Sequence, residues 1–298
     1  MILDPNGMPI LQPTVDNAET ATFNDAFAAI GNALVGRGSG DNLVINGEFR
    51  INQREYVSGT SLSNNEYAFD RWKATTASTS LTFTAAPQGQ LVTINSGGSV
   101  GTILERANVA AGVRTLSHTG TATMRVYNSG GTPPAYSAGP VTATLDGLAD
   151  VVVEFAASGG TKTVGFVKLG GGSITTPYTA RPYGEELALC QRYYRRLSFP
   201  GSGVSVGLGT YQSSTGLSLL PIRHPVTMRA AATLSLSATS ILRVSLPGAW
   251  VNNATAVTAG ESSADGLVIE ITTTSDLATG AVHVYSRVAG WLAFDAEL

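Results

Sequence analysis

From residue 42 onward the chain alternates short apolar–polar runs with clusters of small turn-forming residues. No other feature constrains the fold as strongly. Alternating side chains lie on opposite faces of a strand, so each run can bury one face and leave the other in water. Ser80-Leu81-Thr82-Phe83-Thr84, Gln90-Leu91-Val92-Thr93-Ile94 and Thr163-Val164-Gly165-Phe166-Val167-Lys168-Leu169 show the pattern. Ala122-Thr123-Met124-Arg125-Val126-Tyr127 and Val151-Val152-Val153-Glu154-Phe155 show it less regularly, and Leu43-Val44-Ile45 reads as a buried strand. Ser96-Gly97-Gly98, Asn128-Ser129-Gly130-Gly131, Ser158-Gly159-Gly160 and Gly170-Gly171-Gly172 supply the turns between them. Several short strands with no helix between them predict an antiparallel sandwich or jelly roll over residues 42–181. A second series, from Val204-Ser205-Val206-Gly207-Leu208 to Trp291-Leu292-Ala293-Phe294, predicts a smaller sandwich over residues 203–298.

Two segments break the period. Residues 1–41 carry a predicted helix over Asn17–Val35, with Phe23, Phe27, Ile30 and Leu34 on one narrow stripe, followed by the joint Gly36-Arg37-Gly38-Ser39-Gly40. A lone helix of this length is marginal in water, so the stripe needs a cover: its own domain, copies of itself, or a partner. Residues 182–202 form a connector, with a predicted helix over Glu185–Leu197 whose face is Leu187, Cys190, Tyr194 and Leu197. The expected fold class is therefore mainly β: two antiparallel β-sandwich or jelly-roll domains joined by a short helix, preceded by an N-terminal helical segment.

Several function classes drop out. Only 13% of residues are charged and the net charge is −3, so no basic field exists to hold nucleic acid or an anionic membrane. The longest apolar runs are about four or five residues, against ~18 for a bilayer span, so no membrane insertion is expected. The opening MILDPNG has neither a basic region nor a long apolar one, so no secretory signal is expected. The single cysteine, Cys190, forbids an intrachain disulfide or a multi-cysteine zinc site. His118, His224 and His283 are far apart and share no metal-binding spacing. No metal and no cofactor are expected.

Candidate binding residues are few. Trp250 stands beside Asn252 and Asn253 in a loop-like stretch, where an aromatic face and two amides suit a sugar ring and its hydroxyls. Tyr211 is a weaker case of the same kind. Asp70-Arg71-Trp72 could do likewise, but its place just before an alternating strand favours a core tryptophan with Asp70 and Arg71 paired to each other. Arg192-Tyr193-Tyr194-Arg195-Arg196 could take phosphate or acidic glycan, and fits packing at the connector better. Catalysis has little support. Gly203-Val204-Ser205-Val206-Gly207 lacks the helix that a nucleophile elbow requires. Glu105, Asp146, Asp150 and Glu154 lie among strands with nothing in the sequence to pair them.

Five stretches resemble a family. Asn42-Leu43-Val44-Ile45-Asn46-Gly47-Glu48-Phe49-Arg50-Ile51-Asn52-Gln53-Arg54 resembles the opening of a domain common in tailed-bacteriophage fibre and tail proteins. Tyr67-Ala68-Phe69-Asp70-Arg71-Trp72 resembles its next landmark, and the run from Tyr178 through Arg181-Pro182-Tyr183-Gly184-Glu185-Glu186 to Tyr194 resembles the third. Pro225–Ala230 and Leu292–Leu298 are similar to the C-terminal part of such proteins. The resemblance implies a galactose-binding-like jelly roll, a short helix and a distal β domain. It implies a non-enzymatic virion fibre or spike protein, usually a homotrimer, made in the host bacterial cytoplasm. Residues 1–41, with Phe23, Phe27, Ile30 and Leu34, would then attach to capsid or tail proteins or self-associate. The distal domain, with Trp250, Asn252, Asn253 and Tyr211, would contact host-surface polysaccharide. The alternatives are a head-fibre or decoration protein without a ligand, and a capsule-degrading enzyme.

Overall fold

The alternating runs pair antiparallel, as a two-residue period with one buried face demands. The computed structural model describes residues 2–3, 9–10 and 42–297, apart from 87, 213–216, 239, 246–251 and 274–279. The stripe Phe23, Phe27, Ile30 and Leu34 lies outside the described residues. At the start, β1 (Ile2–Leu3) pairs with β2 (Pro9–Ile10). Then follow β3 (Ser61–Leu62), β4 (Lys73–Ala74), β5 (Thr79–Thr82), β6 (Val92–Ile94) and β7 (Ser99–Leu104). Next come β8 (Gly112–Gly120), β9 (Thr123–Asn128), β10 (Val141–Leu145), β11 (Val151–Ala156) and β12 (Lys162–Gly171). Six of them form one sheet, in the order β10-β8-β12-β6-β5-β3; four form the other, β4-β7-β11-β9. One core fills the space between, which makes this part a sandwich.

The inner faces follow the sequence period. Val100 and Leu104 of β7, Val151, Val153 and Phe155 of β11, and Met124 and Val126 of β9 all point into the core, opposite Leu81, Val92, Ile94, Leu116 and Val164. Trp72 anchors it at 0% exposure, stacked on Phe49 at 4.6 Å between ring centres. Its indole N–H donates to the Asn46 carbonyl at 2.8 Å, so the buried polar atom is satisfied.

The buried run Leu43–Ile45 is not a strand. Asn46 turns the chain at a left-handed φ of 57° and spends its side chain on the turn. Its amide donates to the Ile51 and Asp70 carbonyls and its oxygen accepts from the Arg50 and Ile51 N–H groups, all within 2.8–2.9 Å. An Asn side chain offers the backbone a local alternative to the ladder, and here that alternative prevails. Gly47 follows because a Cβ there would lie 2.3 Å from the Val167 carbonyl oxygen.

Helix α1 (Tyr183–Gln191) is shorter than predicted. From Tyr194 the chain is a strand, β13 (Tyr194–Phe199), so Tyr194 and Leu197 share no helical face with Leu187 and Cys190. Aromatic residues favour strands, and a full ladder awaits them on the last strand, from Tyr194 opposite Asp295 to Phe199 opposite Gly290.

The remaining strands are β14 (Ser205–Gln212), β15 (Leu217–Arg223), β16 (Thr233–Leu236) and β17 (Leu242–Ser245). After them come β18 (Asn252–Ser262), β19 (Gly266–Thr273), β20 (Gly280–Ser286) and β21 (Gly290–Asp295). The expected second sandwich is instead a closed barrel, β14-β15-β19-β18-β17-β20, with a three-stranded sheet β13-β21-β16 beside it. Closure pairs both edges of every barrel strand, which an open pair of sheets this small cannot do. Leu220, Val244, Ile269, Ile271, Val282, Val284 and Phe294 share its core.

Ionic and aromatic contacts join the sandwich to the three-stranded sheet and its flanks. The guanidinium of Arg71 lies 3.6 Å above the Tyr193 ring and pairs with Glu297 near the chain's end. Arg54 pairs with Asp295 at 3.2 Å and Glu297 at 3.4 Å, and packs on Tyr194. Asp70 and Arg71 therefore do not pair with each other as expected. Asp70 accepts from Gln53 at 2.6 Å, and the same Gln53 amide reaches the Tyr194 carbonyl at 2.9 Å. Arg181 binds Glu186 at 3.0 Å beneath α1 and reaches the Val44 carbonyl at 3.1 Å. The stretches 42–54, 67–72, 178–194 and 292–297, distant in sequence, thus meet around one buried polar knot.

Candidate functional site

Among the residues marked by sequence for glycan contact, the described pair Tyr211 and Asn253 is not brought together. Trp250 lies outside the described residues. Asn252 begins β18, and Asn253 is exposed on it, opposite Arg243 of β17. Tyr211 is only 1% exposed and belongs to the barrel core. Alternation along β14 turns Leu208 and Thr210 outward, which sends Tyr211 inward. Its ring is therefore not a platform for a sugar, and this correction moves attention to the sandwich.

The outer face of the four-stranded sheet carries a hollow. Register sets one rung straight across it: Lys73 opposite Gly101, Gly101 opposite Glu154, Glu154 opposite Arg125. The next rung is Ile103, Val152 and Tyr127. One rung is ionic and the other apolar and aromatic, about two residues or ~7 Å apart along the strands. Gly101 leaves the ionic rung low in the middle. A Cβ there would sit 2.9 Å from the Val153 carbonyl oxygen and 3.0 Å from Glu154 Cγ. Asn64 and Asn65, from the turn after β3, complete the rim. The hollow encloses about 260 Å³.

Its polar groups are held in place. Glu154 accepts from Arg125 Nε and, at 3.3 Å, from the Tyr127 hydroxyl. Arg125 is fixed in turn by the Tyr136 ring at 4.2 Å and the Pro134 carbonyl at 3.3 Å. Burial, reinforced by the Glu154 charge, pushes the Tyr136 phenol up to about 12 and raises that of Tyr127. Both hydroxyls therefore stay protonated and able to donate at neutral pH. Burial lowers the Lys73 ammonium, and the charge of Glu297 opposes that shift.

The arrangement suits a polyhydroxylated ring. Ile103, Val152 and Tyr127 offer a floor for the apolar face of a sugar, while ammonium, carboxylate and two amides surround it with donors and acceptors. Glycoside hydrolysis ordinarily uses two carboxylates, and Glu154 is the single one among the described lining residues. No group of three or more potential metal ligands occurs among the described residues.

Sequence reasoning missed this site. Thr123-Met124-Arg125-Val126-Tyr127 and Val152-Val153-Glu154 were visible as strands, and their polar members as outward-facing. The register that aligns Lys73, Gly101, Glu154 and Arg125 across four strands was not.

No protein-family model matches the sequence, and no curated protein matches it. Among solved structures, the wild-type discoidin II from Dictyostelium discoideum is similar at 9% identity, over 86% of this chain and 92% of that one, with a TM-score of 0.20.

Proposed function

We propose that this chain is a non-enzymatic bacteriophage fibre or spike protein whose sandwich binds host-surface saccharide in the hollow on its outer sheet. The observation that carries the binding is the pair of rungs: Lys73, Gly101, Glu154 and Arg125 beside Ile103, Val152 and Tyr127. The virion assignment comes from the resemblance of residues 42–54, 67–72, 178–194 and 292–298 to tailed-phage fibre and tail proteins. In this reading residues 1–41 dock on other virion proteins and the chain works as a homotrimer. Weak single sites then gain avidity from their number. The proposed site moves from the distal part to the sandwich, because Tyr211 is buried.

The test is competition. Purified protein added to host cells should block phage adsorption, and the Tyr127→Ala protein should not. Tyr127 is half-buried and stands outside the core, so its loss leaves the fold intact. Equal blocking by both proteins would remove the hollow as the binding site. A glycan-free fibre predicts no blocking by either, and a depolymerase predicts release of reducing ends from host polysaccharide.

A further inference from the structure

The hollow does not end at Ile103 and Val152. Outward-facing residues on β7 run Gly101, Ile103 and then Glu105 just past the strand end; on β11 they run Glu154, Val152 and then Asp150 just before its start. Along the same face, four residues or ~13 Å beyond the ionic rung, lies a second hollow of about 390 Å³. Arg106, Arg192 and Arg229 line it together with Glu105 and Asp150. Arg192 and Arg229 reach it from beyond the sandwich, and the Arg229 N–H donates to the Arg192 carbonyl at 2.7 Å.

Its charges are unevenly used. Glu105 is bracketed by Arg192 at 3.1 Å and Arg229 at 3.2 Å. Asp150 accepts from the backbone N–H of Arg106 at 2.8 Å. Both carboxylates thus have partners. Glu105 touches only Nη2 of Arg192 and Nε of Arg229. The side chain of Arg106 is exposed and has no ionic partner among the described residues. Three guanidiniums face two carboxylates, leaving one net positive charge, and the Arg192 guanidinium also lies 6.0 Å from the Tyr193 ring centre. A guanidinium fork matches a carboxylate or a phosphate group.

We infer that the two hollows are subsites of one track that binds an anionic oligosaccharide, with a sugar ring on Tyr127 and a carboxylate or phosphate among Arg106, Arg192 and Arg229. This rests on the saccharide reading of the first hollow and adds the ligand's charge and its polymeric length. A single sugar ring cannot touch both subsites, whereas a short oligomer lying along β7 can. It also gives the Arg192 end of the arginine-rich stretch a role beyond packing.

The experiment compares a glucuronate-containing oligosaccharide with the same oligomer after its carboxyl groups are reduced, each titrated calorimetrically into the full chain. The acidic form should bind about tenfold or more tightly, since charge-assisted hydrogen bonds strengthen contacts by that order. The advantage should shrink with added salt. Arg106→Gln should lower affinity for the acidic oligomer several-fold and leave the reduced one unchanged. Tyr127→Ala should weaken both. Equal affinity of wild type for the two oligomers, or an equal effect of Arg106→Gln on both, would overturn the track while leaving the first hollow standing. If neither oligomer binds, the saccharide reading of the sheet fails. Free glucuronate and a hexose phosphate then read the second hollow alone, through the arginine Nε–H signals. Shifts at Arg106, Arg192 and Arg229 would support an anion subsite and show which anion it takes. No shift with either probe would sink it.

Discussion

Replacing Asp70 with asparagine should make the protein more stable at alkaline pH and leave it nearly unchanged in acid. Asp70 is fully buried, and one carboxylate oxygen accepts from the Gln53 side chain at 2.6 Å. Burial lifts its pKa from 3.8 to about 7, opposed by the Gln53 hydrogen bond and the Arg54 charge and reinforced by Glu297. The folded state therefore keeps a proton that the unfolded chain releases between pH ~4 and ~7. Stability falls as pH rises through that window and levels off above it. About three pKa units at 1.36 kcal/mol each give roughly 4 kcal/mol as the upper scale of the loss. Asparagine carries no charge, and its side-chain oxygen can still accept from Gln53. Urea unfolding at pH 4 and pH 8, followed by tryptophan fluorescence, reads the effect. The Asp70→Asn protein should match the wild type within about 1 kcal/mol at pH 4 and exceed it by up to ~4 kcal/mol at pH 8. A difference between the two proteins that is the same at both pH values would refute the reasoning.

Three further outcomes follow from the contacts. Trp72→Ala removes the ring stacked on Phe49 and should cost about 3–5 kcal/mol in urea unfolding followed by far-ultraviolet circular dichroism. Glu297→Ala leaves Arg71 buried without its carboxylate and should cost ~3–5 kcal/mol, seen as a lower melting temperature; an unchanged one would mean that Arg71 finds another partner. Gly101→Ala places a methyl 3.0 Å from Glu154 Cγ and should cost about 1–3 kcal/mol while weakening saccharide binding by shifting Glu154.

The strands and their faces were legible because burial imposes a period of two on the sequence, as in Val151, Val153 and Phe155 against Val152 and Glu154. The structural role of Trp72 was legible from its place before a strand. What could not be read depends on distant partners. Leu43–Ile45 has the composition of a strand, yet the Asn46 side chain captures the turn. Tyr194–Leu197 continues a helical pattern, yet β21 offers those residues a ladder. Tyr211 looked like a loop aromatic because nothing local announces that a strand will curl into a barrel and face it inward. The candidate hollow was hidden for the same reason. Lys73 and Arg125 are 52 positions apart in the chain and meet on one rung only through the strands between them.

The most direct measurement is a methyl-NMR titration of the full chain with depolymerised host-surface polysaccharide. The methyl signals of Ile103 and Val152, on the floor of the hollow, should shift saturably. Those of Ile269 and Val284, inside the barrel, should stay still. Saturable binding that moves only barrel signals, or no shift at any saccharide concentration, would contradict the assignment of the outer sheet as the host-contacting site.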